Sequence, residues 1–216
     1  MNKHKWFVRL FLGFVKLTGI LPAWLFLKPK VILAPGAKRQ LPKNCILVSN
    51  HESLMDFILY LVIFPLRTIR FLIAEVMYNH GKLMAWFLSG IGGIRVDRNT
   101  KSFDFVSHAL EVLDDGGTVG VFPQGRLPVK GLDRFPFTVS TAFIALHSDA
   151  PVVPVYTDGN YFGKGRNHII IGKPLDVRQL YEDSRSEKEN IAAITEFLRG
   201  KVHELNCQLR KEAESA

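Results

Sequence analysis

Between residues 45 and 171 short β-rich runs alternate with helical ones, and this alternation limits the fold more than any other feature of the chain. It is the pattern of a single α/β domain with a mixed, largely parallel sheet flanked by helices. The runs that read as strands are Cys45–Ser49, Thr68–Ile73, Gly93–Val96, Thr118–Phe122, Val152–Tyr156 and His168–Ile171. Helices are expected at Ser53–Phe64, Glu75–Ser89, Ser102–Asp115 and Phe137–Ser148, the third stopped by Gly116-Gly117. Over 187–212, Ile191, Ile194, Leu198, Val202, Leu205 and Leu209 recur at helical spacing, which marks a packing helix. With 216 residues, 47% of them hydrophobic, the chain can bury one sizeable core.

The formal net charge of +8 is concentrated at one end. Residues 1–43 hold nine Lys and Arg and no acid, whereas the rest of the chain carries 19 bases against 20 acids. A basic arm on a nearly neutral domain fits a polyanionic partner, either nucleic acid or an anionic membrane surface. What lies between the charges favours the membrane. Residues 6–27 are mostly apolar, interrupted by Arg9 and Lys16 and expected to break at Pro22. On a helix Lys5, Arg9 and Lys16 share one face while Trp6, Phe7, Leu10, Phe11 and Phe14 cover the remainder, as in helices that lie in a membrane interface. A single tilted span and a buried helix of a soluble protein are the competing readings. Bases alternating with bulky aliphatics make a poor nucleic-acid patch, so no nucleic-acid partner is expected. No small-residue cleavage site follows the run, so a removed signal peptide is not expected, and the basic N-terminus favours the cytoplasmic face. The expected organisation is thus a membrane-associating segment over 1–30, the α/β domain over 31–181 and a packing helix over 182–216. Cys45 and Cys207 have neither metal-ligand nor disulfide spacing, which suits a reducing compartment.

The chemistry is concentrated in Asn50-His51-Glu52-Ser53-Leu54-Met55-Asp56, where a buried strand gives way to a helix. On a continuous helix a five-residue separation turns about 140°, so His51 and Asp56 meet only if the chain turns between them. A loop after Ser49 and a helix starting near Ser53 would supply that turn. An imidazole held by a carboxylate through one nitrogen presents the other as a base, which activates a hydroxyl without any serine or cysteine nucleophile. Ser53-x-x-Asp56 before an apolar run is equally a helix-capping pattern. Both readings stand on these residues alone. A lone His-x4-Asp is a poor metal site, and Met55 stands where a zinc-binding His-Glu-x-x-His needs histidine, so no metal is expected.

Three further stretches accompany the pair. Gly92-Gly93-Ile94-Arg95-Val96-Asp97-Arg98 carries two arginines suited to a phosphate, Phe122-Pro123-Gln124-Gly125-Arg126-Leu127-Pro128 reads as an exposed loop presenting Gln124 and Arg126, and Val153-Pro154-Val155 stiffens a strand. In order and spacing the four stretches resemble the glycerolipid acyltransferase family that includes 1-acyl-glycerol-3-phosphate acyltransferases. His51 and Asp56 match its His-x4-Asp motif, Gly92 to Arg98 its Gly-x-Ile-x-Val-x-Arg, and Val153 to Val155 its fourth motif, with Ile171-Gly172-Lys173-Pro174-Leu175 similar to its ending. The third motif departs from the usual Phe-Pro-Glu-Gly-Thr-Arg-Ser: Gln124 replaces the glutamate and the arginine stands one position early, at Arg126.

The resemblance implies transfer of a fatty acyl group from acyl-CoA or acyl carrier protein to a lysophospholipid hydroxyl, 1-acyl-sn-glycerol-3-phosphate foremost, with no cofactor. His51 would be the base and Asp56 its orienting carboxylate. Arg98, Arg126 and Arg95 would hold phosphate, and Gln124 and Gly125 the acceptor, with an oxyanion donor near Gly125. Lys5, Trp6, Arg9, Phe11 and Lys16 would contact an anionic membrane, giving a peripheral or monotopic enzyme. The competing functions are acylation of another lysolipid, thioester hydrolysis and non-catalytic lipid binding.

Overall fold

The computed structural model describes residues 3–97, 103–128, 136–161 and 165–214, without the side chains of 3–5, 8, 9, 213 and 214. Among the described residues seven strands form one sheet: β1 Pro29–Leu33, β2 Cys45–Ser49, β3 Ile69–Ala74, β4 Ile94–Val96, β5 Thr118–Val121, β6 Val152–Thr157 and β7 Asn167–Ile171. Their order is β1-β7-β6-β2-β5-β3-β4. Every pairing is parallel except β6 with β7, which are joined by a short connection and run antiparallel. The expected α/β class with a mixed, largely parallel sheet is what the chain forms.

The helices are α1 Lys3–Leu27, α2 Asp56–Ile63, α3 Glu75–Tyr78, α4 Lys82–Gly90, α5 Asp104–Asp114, α6 Ser140–Leu146 and α7 Glu187–Glu214. Alternation along the strands divides the core into two layers. Ile46, Val48, Val119, Val121 and Val152 pack with α5, α6 and α7 on one face. Cys45, Leu47, Val153, Val155 and Ile169 pack with α2 and Leu27 on the other. β2 lies between β5 and β6 and is buried at all five positions, which is why its first four residues, Cys45 to Val48, read as a continuous apolar run.

Several boundaries differ from the sequence reading for local reasons. The helix expected over Glu75–Ser89 divides into α3 and α4, because Gly81 adopts φ 111° between them. α2 starts at Asp56 rather than Ser53, since residues 50–55 form the loop that turns the chain. Pro22 does not break α1. It removes one helical hydrogen bond, and both Pro22 and the Thr18 it would have paired with are exposed, so the freed carbonyl meets solvent. Lys28, at φ 46°, then ends the helix and directs the chain into β1, a strand not expected from sequence.

The α1 charge pattern also needs correction. The Lys16 ammonium donates to the carbonyls of Pro65 and Arg67, capping the chain as it leaves α2, and burial lowers its pKa. It therefore does not face lipid headgroups. Phe11 likewise packs inward, edge-on to Trp86 with centroids 5.0 Å apart and beside Phe87 at 6.1 Å. Trp6 is exposed as expected, and the outward surface is apolar: Phe14, Leu17, Leu21 and Leu25 on α1, with Leu83 and Trp86 on α4. Lys5 and Arg9 have side chains outside the described residues.

Candidate active site

The site lies at the C-terminal ends of β2, β5 and β6, three neighbouring parallel strands whose following loops converge. After Ser49 the chain leaves the sheet, and the Asn50 side chain replaces the missing ladder. Its Oδ1 accepts from Thr157 N at 3.0 Å and its Nδ2 donates to Thr157 O at 2.8 Å, while the same Nδ2 reaches Glu52 Oε1 at 2.8 Å. Asn50 thus imitates a backbone amide for one more residue along β6. Gly159, at φ 69°, lets the next loop approach, since a Cβ there would stand 2.7 Å from Glu52 Cβ.

This anchoring brings His51 and Asp56 together. Asp56 is the first residue of α2 and is fully buried, and its Oδ2 lies 2.7 Å from His51 Nδ1. The same oxygen accepts from the backbone amides of Glu52 at 2.8 Å and Ser53 at 3.0 Å. Both amides aim hydrogens at Oδ2, so the carboxylate is the acceptor and His51 Nδ1 carries the proton toward it. Nε2 is left for substrate. Ser53 Oγ accepts from Met55 N at 3.1 Å, and because Met55 is the N-cap of α2 with no side-chain cap bond, Ser53 and Asp56 do not form the expected capping box. One carboxylate thus fixes both the loop before α2 and the imidazole.

Below the imidazole stands a column of aromatic rings. His51 stacks on Phe122 with centroids 4.4 Å apart, and Phe122 stacks on Phe71 at 5.4 Å. Gly120 on β5 makes room for it, because a Cβ there would come within 2.4 Å of the Phe71 ring. The imidazole is thus set in its plane by stacking and in its azimuth by Asp56.

Gln124 is not presented outward. It is buried, and its Oε1 accepts from His51 N at 2.6 Å, tying the β5 loop to the base. A glutamate could accept the same bond, so the replacement keeps the tie without a charge beside His51. The N–H of Gly125 donates to Phe122 O at 2.9 Å inside the turn and is not an oxyanion donor. Arg126 is exposed on this loop.

Arg95 is not brought to the pair. It sits on edge strand β4, three strand spacings or about 14 Å from β2. Its guanidinium pairs with Glu75 and lies 5.6 Å from the centre of the Tyr78 ring. Arg98 lies outside the described residues. Burial raises the Cys45 thiol to about 11, which removes it as a nucleophile near neutral pH.

Tyr161 was not among the candidates from sequence. Buried beyond β6, it donates its phenolic hydrogen to Asp56 Oδ1.

A family model described as Acyltransferase matches residues 36–158, more than half of the chain and all of this constellation except Gly159 and Tyr161. The chain belongs to the acyltransferase family. Relatives of this acyltransferase include the 1-acyl-sn-glycerol-3-phosphate acyltransferase of Bacillus subtilis (strain 168), 28% identical over 180 residues that cover 80% of this chain and 87% of that protein. The 1-acyl-sn-glycerol-3-phosphate acyltransferase of Borreliella burgdorferi is 26% identical over 200 residues, 85% of this chain and 76% of the other. The crystal structure of the 1-acyl-sn-glycerophosphate (LPA) acyltransferase PlsC from Thermotoga maritima matches with a TM-score of 0.64 and 25% identity over 95% of this acyltransferase and 84% of that chain.

Proposed function

We propose that this acyltransferase moves a fatty acyl group from a thioester, acyl-CoA or acyl carrier protein, to the free hydroxyl of 1-acyl-sn-glycerol-3-phosphate, forming phosphatidic acid. The observation that carries the reading is the His51–Asp56 contact of 2.7 Å, with Nδ1 committed to the carboxylate. Nε2 takes the acceptor's hydroxyl proton as its oxygen attacks the thioester carbonyl carbon. Asp56 stabilises the imidazolium that forms. Collapse of the tetrahedral intermediate breaks the carbon–sulfur bond, and the leaving thiolate takes the proton back. No acyl-enzyme is required. Arg126 and Arg98 are the proposed phosphate contacts; Arg95 serves Glu75 and Tyr78 instead.

The reading is tested with labelled acyl-CoA and a panel of lysophosphatidate, other lysophospholipids and lyso-aminolipids. Label should enter phosphatidic acid, with one thiol released per acyl group transferred. Equal thioester consumption without any acceptor would make the protein a hydrolase, and preferred labelling of another lysolipid would replace the proposed acceptor.

The surface supports an interfacial enzyme. Leu17 is 86% exposed and Leu21 67%, on the same side of α1 as Phe14, a patch that water does not stabilise. α1 enters the sheet through β1, whose start lies at the same end of the sheet as His51, since β1 parallels β7 and β7 opposes β6. Seating this patch in the cytoplasmic leaflet would bring lipid acceptors to the catalytic end. Leu17→Glu/Leu21→Glu should lower sedimentation with anionic vesicles about tenfold or more while leaving the fold intact, because neither side chain packs on the core. Undiminished sedimentation would contradict the interfacial placement.

A further inference from the structure

Asp56 Oδ2 takes three donors, from His51, Glu52 and Ser53, all on its own loop. Oδ1 points the other way, across the site, and receives the hydroxyl of Tyr161, 105 residues further along the chain. We infer that Tyr161 is a third, positioning member of the His51–Asp56 pair, holding the carboxylate in plane and moderating its grip on the imidazolium. This rests on the reading of His51 and Asp56 as the catalytic pair.

Two physical effects follow from the geometry. With both oxygens engaged from opposite sides, rotation about the Cβ–Cγ bond would break bonds at each end, so the carboxylate cannot turn away from His51. A phenol donating to Oδ1 also draws charge from the carboxylate, so Asp56 holds the imidazolium less tightly than it would without the phenol. Burial, and then the charge of Asp56, push the Tyr161 phenol well above the usual tyrosine range, so it remains a proton donor throughout. Its anchor is the β6–β7 connection: Tyr161 N donates to Gly159 O at 2.9 Å, and Thr157 at the end of β6 is clamped by Asn50. Among the described residues the ionisable groups around the cluster are Tyr60 from α2, whose hydroxyl is bonded to Ser49, Glu52 from the loop after β2, and Tyr156 on β6.

Tyr161→Phe tests this through the pH dependence of kcat/KM for acyl transfer. We expect unchanged KM for acyl-CoA, a roughly tenfold lower kcat and an acid limb displaced upward by roughly half to one pH unit. A merely structural tyrosine would lower the rate equally at every pH. That outcome, or a profile superimposable on the parent's, overturns the inference. Should the variant not fold, Tyr161→3,5-difluorotyrosine preserves shape and makes the phenol a stronger donor. The acid limb should then move downward, and an unmoved limb overturns the inference. The two readings fail separately: activity surviving His51→Ala removes the catalytic pair itself, whereas loss in His51→Ala with no pH displacement at Tyr161 removes only the third member.

Discussion

Replacing His51 by alanine should lower acyl transfer by roughly 10³–10⁴-fold while leaving the protein folded, as steady-state rates and thermal unfolding of the same preparation would show. The rate estimate reflects the loss of the base that receives the hydroxyl proton. Folding should survive because the loop does not depend on the imidazole. Gln124 binds the backbone N–H of His51, and Asp56 accepts from the amides of Glu52 and Ser53. Asn50 clamps the strand end through Thr157. The side chain itself is 17% exposed and contributes one aromatic stack, with Phe122. Alanine therefore removes the chemistry and about 1 kcal/mol of packing. Full activity in this variant would exclude His51 as the base.

What was legible in the sequence follows the range of the interactions. β2 was legible in full because four consecutive apolar residues, Cys45 to Val48, are followed by Ser49 and all five positions are buried on both faces. β1 was not, since it starts with Pro29, follows an apolar helix without a break, and exists by pairing with β7 far along the chain. The turn between His51 and Asp56 could be inferred because the two residues can meet only across one. The direction of Gln124 could not. A Pro-Gln-Gly sequence reads as an exposed turn, and only the neighbouring β2 loop supplies the N–H that draws the amide inward. Lys16 shows the same limit: helical periodicity placed it with Lys5 and Arg9, but the carbonyls it satisfies belong to residues some fifty positions away. Tyr161 carried no sequence signal, because nothing in its local context specifies a carboxylate across the site.

Asp56 should separate stability from catalysis when it is replaced in two ways. Alanine removes both carboxylate oxygens at once, leaving the amides of Glu52 and Ser53 without the acceptor that now satisfies them and breaking the bond from Tyr161. Each buried orphan costs about 1–3 kcal/mol, so Asp56→Ala should be destabilised by roughly 3–5 kcal/mol in denaturant unfolding as well as inactive. Asparagine keeps the shape and one oxygen. The two loop amides both donate, so they admit only the amide oxygen at the Oδ2 position, which leaves His51 Nδ1 with an acceptor and turns the amide nitrogen toward the Tyr161 oxygen. Orientation and fold are then retained, and what is lost is the negative charge that stabilises the imidazolium. Asp56→Asn should fold with near-parental stability and transfer acyl groups about 10²–10³-fold more slowly, less than a variant that also reversed the tautomer. Because Asp56 acts through His51, the double variant His51→Ala/Asp56→Asn should be no slower than His51→Ala alone. Multiplying losses in the double variant would mean that Asp56 acts on substrate independently, and an asparagine variant as fast as the parent would mean that the carboxylate serves only the helix start.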